Sequence, residues 1–220
     1  MAFNASYIGM REDIVKMVAG NNLSILDIGC ANGATGRFLL EQQRALRVVG
    51  VEYIPEMAQA AEQNLSAVIC GSIEDETTWA AIAEQTNGAY DYIFFGDVLE
   101  HLHDPWTVLR RAATWLKPGG KVIISLPNFQ HIDVFIHIFI KGTFARNDRG
   151  IFDKTHLRFF TLRNMHELAE AADLKITKYN RIFRYRDRLG SRFLPIYGHF
   201  LKAIFPNYYT FQYILVAEKK

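Results

Sequence analysis

Three short stretches of the chain place chemically useful residue types at useful spacings. LDIGCANGATG, Leu26 to Gly36, sets three glycines and two alanines directly behind a short apolar run that carries the carboxylate of Asp27. A backbone that bare lets a ligand lie against main-chain NH groups. In GDVLEHLHDP, Asp97, Glu100 and His101 are spaced i, i+3, i+4, which on a helical turn puts all three on one face. FDKTHLRFF supplies Asp153, His156 and Arg158 within a polar break in an aromatic run, and polar groups so placed require partners. His101 and His156 are the candidate general bases, because imidazole exchanges protons near neutral pH.

The surrounding elements must position these groups. Apolar runs of strand length (SILDIG, RVVGVE, AVIC, YDYIFFGD, KVIISLP) alternate with helix-like segments, one starting near Thr35, then PEMAQAAEQNL and PWTVLRRAATWLKPGG. The alternation predicts a parallel sheet covered on both faces, and the unbroken apolarity of the runs fits strands buried on both sides. After Pro127 the rhythm changes. HIDVFIHIFIKGTF reads as an apolar lid helix over an acceptor pocket, or equally as core, followed by the polar turn ARNDRG. Thr161 is placed to cap a helix over LRNMHELAEAADL, and KITKYNRIFRYR and FQYILVAEKK are expected to pair antiparallel at one sheet edge. A second lid is a further expectation for the N-terminal segment with Tyr7 and Ile8.

The ligand of the glycine loop can be narrowed. A dinucleotide requires G-x-G-x-x-G, but Ala31 and Ala34 stand where the second and third glycines belong. Asp27 at the strand end suits a cation better than a pyrophosphate, which weakens a nicotinamide-dependent dehydrogenase as a reading. S-adenosylmethionine offers an ammonium and a sulfonium and no phosphate. Glu52, ending the second strand, is placed to accept ribose hydroxyls.

With these residues in order, DIGCANG, VVGVE, CGSIED, YDYIFFGDVLEHLHDP and LKPGGKVIISLPN, the chain resembles the class I S-adenosylmethionine-dependent methyltransferases over most of its length. The resemblance implies an α/β, Rossmann-like, doubly wound, mostly parallel seven-stranded sheet with an antiparallel last strand. It implies one domain over 1–220, with a lid at about 128–160 and an insertion at about 185–209. Asp27 and the loop of Gly29, Cys30 and Ala31 would hold the methionine moiety, and Glu52 the ribose. Tyr53, Ser72 and Ile73 would flank the adenine, with Gly96 and Asp97 near the methionine end. Ala31 departs from a common glycine, and Ser72 stands where many members have an aspartate.

The acid-x-x-Glu-His spacing with a later histidine is similar to the divalent-metal site of small-RNA 2′-O-methyltransferases and ubiquinone-pathway O-methyltransferases. By that likeness Asp97, Glu100, His101 and His156 would hold a Mg²⁺- or Mn²⁺-like ion. A metal-free base at His101 or His156 is the competing expectation. The plain structural alternative has Glu100 and His101 capping their loop and an Asp153–Arg158 salt bridge shaping the lid.

Composition sets the outer limits. A net charge of +2 over 220 residues announces no nucleic-acid partner for the whole protein. No stretch is long and apolar enough for a membrane span and no leader is visible, so a cytoplasmic location is expected. Cys30 and Cys70 lack metal-ligand spacing and read as reduced thiols. Arg181 to Tyr209 interleaves Arg181, Arg184, Arg186, Arg188, Arg192 and Lys202 with aromatics, Asp187 being the only acid. Such a segment suits RNA, an anionic membrane, a phosphorylated acceptor or simply a solvated face. The functional expectation is O-methylation of a small-molecule hydroxyl, a metabolite or sugar; GDVL stands where the [DN]-P-P-[FY] signature would be, which counts against amino-group methylation of DNA or glutamine. The alternative is an S-adenosylmethionine-binding module that engages RNA or a protein through the basic segment.

Overall fold

Alternate residues of each central strand point to opposite faces, and here both sets are apolar, so both faces of the sheet must be covered. The computed structural model describes residues 9–85, 89–187 and 196–219, with side chains left undescribed at 196–199. The expected second lid at Tyr7 and Ile8, and Arg188 and Arg192 of the basic segment, lie outside these residues.

The order is α1 (Glu12–Val15), β1 (Leu23–Ile28), α2 (Ala34–Glu41), β2 (Ala45–Glu52), α3 (Pro55–Glu62), β3 (Ala67–Cys70), α4 (Glu76–Gln85) and β4 (Tyr90–Gly96). There follow α5 (Pro105–Thr114), β5 (Leu116–Pro127), α6 (Ile132–Phe135), α7 (Leu162–Ala171), β6 (Leu174–Phe183), α8 (Ile196–Ile204), α9 (Pro206–Tyr209) and β7 (Thr210–Lys219). The described residues form one seven-stranded sheet in the order β3-β2-β1-β4-β5-β7-β6. β1 to β5 pair in parallel, while β7 runs antiparallel to both β5 and β6. The expected doubly wound architecture and its reversed last strand are present.

Two core clusters occupy the two faces. On one, Ile28, Val51, Phe95, Ile124 and Leu215 pack with Trp79, Leu109 and Leu168 from the helices. On the other, Ile25, Val48, Phe94, Ile123 and Ile214 pack with Ile14 and Leu39. Thr161 caps α7 as expected, in a reciprocal capping box with Asn164.

The lid region corrects one expectation. The helix 132–140, α6 continued by a π turn, buries Val134 but exposes Phe139 at 73% and Ile140 at 68%, and it does not line the cavity described below. The chain over the cavity is instead the polar stretch 149–156, because the buried Asp133 on α6 is committed to Arg186 and to the Asp187 amide, which fixes the helix against the β6 exit. A buried carboxylate must be paired, and that requirement outweighs the apolar stripe in setting where the helix sits.

Helix α2 lies close on β2 because Gly36 has no side chain: a Cβ there would meet Leu65 Cδ2 at 2.4 Å and Val48 Cγ1 at 2.8 Å. Gly36→Val is expected to cost about 2 kcal/mol through overpacking, read as a lower midpoint in chemical denaturation. An unchanged midpoint would show that α2 can lift off the sheet without loss.

Candidate functional site

Parallel strands bring their carboxyl ends to one edge, and β7, being reversed, brings its start there too. Along this edge runs a cavity of about 540 Å³, lined among others by Asp27, Gly29, Cys30 and Ala31 after β1, Gly96, Asp97 and Glu100 after β4, Pro127 after β5, and Phe211 and Gln212 opening β7. Arg149, Gly150 and His156 close it from the lid, and Ile182 and Arg184 from β6.

At the β1 end the chain turns with Gly29 at φ +75° and Ala31 at φ +48°. Gly29 is required for space as well, since a Cβ would meet Val98 Cγ2 at 2.4 Å. The alanine in place of a common glycine takes a left-handed conformation at a cost of about 1 kcal/mol. Glu52 holds it there: one oxygen accepts the Ala31 NH at 2.9 Å and the other the Ile54 NH at 2.9 Å. Asp27 is buried and lines the cavity, with no hydrogen-bond donor among the described residues. Burial first, and the neighbouring Glu52 second, push its pKa up to about 7 against the pull of Arg11. A carboxylate in that condition is stabilised by a cation or donor brought to it.

Tyr53 follows the end of β2, and Ser72 and Ile73 follow the end of β3; none of the three is among the cavity's lining residues. Tyr53 is 56% exposed and Ile73 is in the core. Ser72 Oγ accepts the Glu74 NH at 3.2 Å.

Asp97 requires a correction. Its carboxylate does not join Glu100 and the histidines. It receives Arg11 Nη1 at 2.6 Å, Ser125 Oγ at 2.9 Å and Gln212 Nε2. The left-handed backbone of Asp97, φ +62°, turns it away from the following helical turn, so the i, i+3, i+4 spacing does not produce one face. Arg11 also pairs with Asp13 at 2.8 Å and with Ser125 Oγ at 2.8 Å. Burial opposes its charge, but Asp97 and Asp13 outweigh burial and raise its pKa further. Sequence reasoning missed Arg11, Ser125 and Gln212. Nothing local marks them, and the Arg11 contacts span 86 and 114 positions.

Glu100, His101 and His156 do come together, with one ligand atom from each within 4.8 Å of the others. One carboxylate and two imidazoles are donor types that could hold a divalent ion. The stretch 153–158 docks on the 3₁₀ turn Leu99–His101 through the Glu100 carbonyl, which accepts the NH groups of Leu157 at 2.8 Å and Arg158 at 3.0 Å. Thr155 Oγ1 donates to Asp153 at 2.6 Å, so its oxygen accepts from His101 Nδ1 at 3.1 Å, alongside the Thr155 carbonyl at 3.3 Å. His156 Nδ1 donates to the Ile151 carbonyl at 3.3 Å. In a neutral ring with Nδ1 protonated, Nε2 is the atom that carries the lone pair. His101 packs edge-on against His156, ring centroids 4.8 Å apart, while Glu100 and His156 face the cavity.

Electrostatics separates the members of this group. Burial, then Asp97, holds the Glu100 pKa well above the usual carboxylate range. Its Oε2 is buried without a hydrogen-bond partner among the described residues, and its Oε1 lies 4.0 Å from His156 Nε2. Burial, then His101, lowers His156 to about 4. An Asp153–Arg158 salt bridge is not what shapes the lid: Arg158 donates to the His103 carbonyl and lies over Trp106, and Asp153 serves Thr155.

The basic segment commits most of its described cations internally. Arg181 lies over Tyr179 and Tyr213, Arg186 pairs with Asp133, and Lys202 covers Phe183.

Comparison with known proteins bears on all of this. The family described as "Methyltransferase domain" matches residues 9–179. The chain is 28% identical over 178 residues to the ubiquinone biosynthesis O-methyltransferase of Aeromonas salmonicida (strain A449), covering 80% of this chain and 69% of that protein. It is 30% identical over 115 residues to phosphoethanolamine N-methyltransferase 1 of Arabidopsis thaliana, covering 52% of this chain but only 23% of that protein's length. A SAM-dependent methyltransferase from Archaeoglobus fulgidus shares the fold with a TM-score of 0.63 at 15% identity, over 89% of this chain and 86% of the other.

His156 is expected to remain neutral down to about pH 5 and to titrate near the value of about 4 that its burial sets. In ¹⁵N spectra His101→Phe should move that titration upward. A His156 that protonates near 6.5 in the folded protein would refute the buried, lone-pair-bearing arrangement.

Proposed function

Since this chain belongs to the S-adenosylmethionine-dependent methyltransferase family, we propose that it methylates a hydroxyl of a small molecule. The observation that carries this reading is the opening of Glu100 and His156 onto the same cavity as Asp27. A hydroxyl must lose a proton as it accepts the methyl group, and this cavity is furnished to take one. The likeness to a ubiquinone-pathway O-methyltransferase supports the same choice.

The cofactor follows the strand order. Tyr53, Ser72 and Ile73 at β2 and β3 border the adenine, and Glu52 retains lone pairs beyond its two backbone bonds for the ribose hydroxyls. Asp27 and the Gly29–Ala31 loop hold the methionine end, where Asp27 takes the cationic groups, and Arg11, beside Gly96 and Asp97, pairs with the carboxylate. Bound S-adenosylmethionine supplies an electrophilic methyl on its sulfonium. The chain supplies alignment and proton removal. His156 is neutral at physiological pH with its Nε2 lone pair available, and His101 stands behind it, its own ring oriented by Thr155 and Asp153.

A second reading, with a divalent ion on Glu100, His101 and His156, is favoured by the buried Oε2 of Glu100 that meets no donor. Such an ion would lower the pKa of an acceptor hydroxyl, most effectively a diol. Asp97 does not belong to this set, for the reason given above.

Two measurements follow. Below about pH 7 Asp27 takes up a proton and loses its attraction for the ammonium and sulfonium. Calorimetric affinity for S-adenosylmethionine should therefore fall as pH drops through that value. In Asp27→Asn it should be at least about tenfold weaker at pH ~8 and nearly independent of pH. Affinity that is flat with pH in the native chain would remove Asp27 from the site. Titration with Mn²⁺ should release heat that Glu100→Gln abolishes; no heat, with turnover unchanged in chelator, would leave the metal-free base.

A further inference from the structure

The β7–β6 end of the cavity carries a charge that the methyl-transfer scheme does not use. Arg149 lines the cavity half-buried and has neither hydrogen bond nor ion pair among the described residues. Arg184 lines the same end, its guanidinium 3.9 Å from the ring centre of Phe211 and its side chain 26% exposed. Asp187 holds the two in register. One of its oxygens accepts the Ile151 NH at 3.0 Å, and the other lies 3.8 Å from Arg184 Nη1. Between them Gly150, at φ +80°, lies so close to this carboxylate that a Cβ would come within 2.2 Å of Oδ2. Only a glycine lets the loop carrying Arg149 lie against the strand exit carrying Arg184.

The neighbouring charges leave a positive remainder. Asp13 and Asp97 are both taken by Arg11, and Asp133 by Arg186. At this end Arg184 is drawn to Asp187 and Arg186 to Asp133, and Arg149 is the cation left without an ion pair among the described residues. A guanidinium withdrawn from water is costly unless an anion meets it, and its planar fork fits a carboxylate or phosphoryl group in two-point contact. Pro127, Ile182 and Phe211 supply an apolar floor beside it. A neutral acceptor filling this end would strip water from Arg149 and return nothing.

We propose that the methyl acceptor is an anion: a ring-bearing molecule whose carboxylate or phosphoryl group is held by Arg149 and Arg184 while its hydroxyl reaches Glu100 and His156. This rests on the methyl-transfer reading for the identity of the ligand as acceptor. The charge, the floor and the position along the sheet edge, beyond the catalytic group as seen from Asp27, are what assign it.

The test uses the full chain, inorganic phosphate, benzoate and uncharged benzamide as probes, and S-adenosylhomocysteine as a separate titrant. Phosphate or benzoate at millimolar concentration should shift the Arg149 Nε resonance in ¹⁵N spectra, with benzamide inert. Arg149→Gln should weaken that binding at least about tenfold and Arg184→Gln should weaken it too, with S-adenosylhomocysteine affinity held within about twofold as the check on folding. A response to phosphate alone or to benzoate alone supports the site and identifies the group it takes. No shift up to ~50 mM, an equal response to benzamide, or unchanged binding in Arg149→Gln overturns the proposal. Anion binding without S-adenosylhomocysteine binding would overturn the methyl-transfer reading and leave an anion site.

Discussion

Arg11 is the charge on which the cavity depends. It enters the carboxyl edge of the sheet from the segment before α1, meets Asp97 at the end of β4, Ser125 on β5 and Asp13 on α1, and donates its own NH to Thr35 on α2. Asp97 in turn receives Gln212 from β7. One guanidinium thereby ties together elements that are distant in the chain and would otherwise present like-charged carboxylates to one another. Withdrawing a guanidinium from water is tolerated only with such pairing, so the pairing fixes geometry as well as charge.

The remaining ionisable groups are set apart by what Arg11 leaves unpaired. Asp27 and Glu100 both face the cavity and both have raised pKa values, because burial outweighs the pull of Arg11 on each. His156 is driven the opposite way by the same burial, which keeps it neutral. A site in which carboxyls tend to hold protons and an imidazole tends to lack one is arranged for proton movement. The order along the sheet edge, the glycine turn after β1, Glu100 after β4 and Arg184 after β6, follows from the strand topology.

Much of the fold was legible because its signals are local. Strand-length apolar runs and the interposed helical segments follow from short-range pattern and the glycine loop from residue size, while the reversed last strand was implied by the family resemblance. The lid was read less well. HIDVFIHIFIKGTF has an apolar composition that suits a pocket roof, yet Phe139 and Ile140 face outward while Asp133 is drawn inward by Arg186. A composition-based reading weighs eight apolar side chains against one acid; the fold gives the acid the deciding vote because its burial must be paired.

The sequence by itself determined the sheet, the bare turn after β1 and the inventory of acids and imidazoles, since each depends on residue type and spacing within a dozen positions. Tertiary structure decided which of those groups share a site. Asp97 left the predicted cluster for Arg11, Asp153 turned to Thr155 in place of Arg158, and Arg149 and Arg184 met at one end of the cavity. Electrostatic pairing acts over a few ångströms of space, and separation along the chain carries almost no information about such distances until the strands are laid side by side.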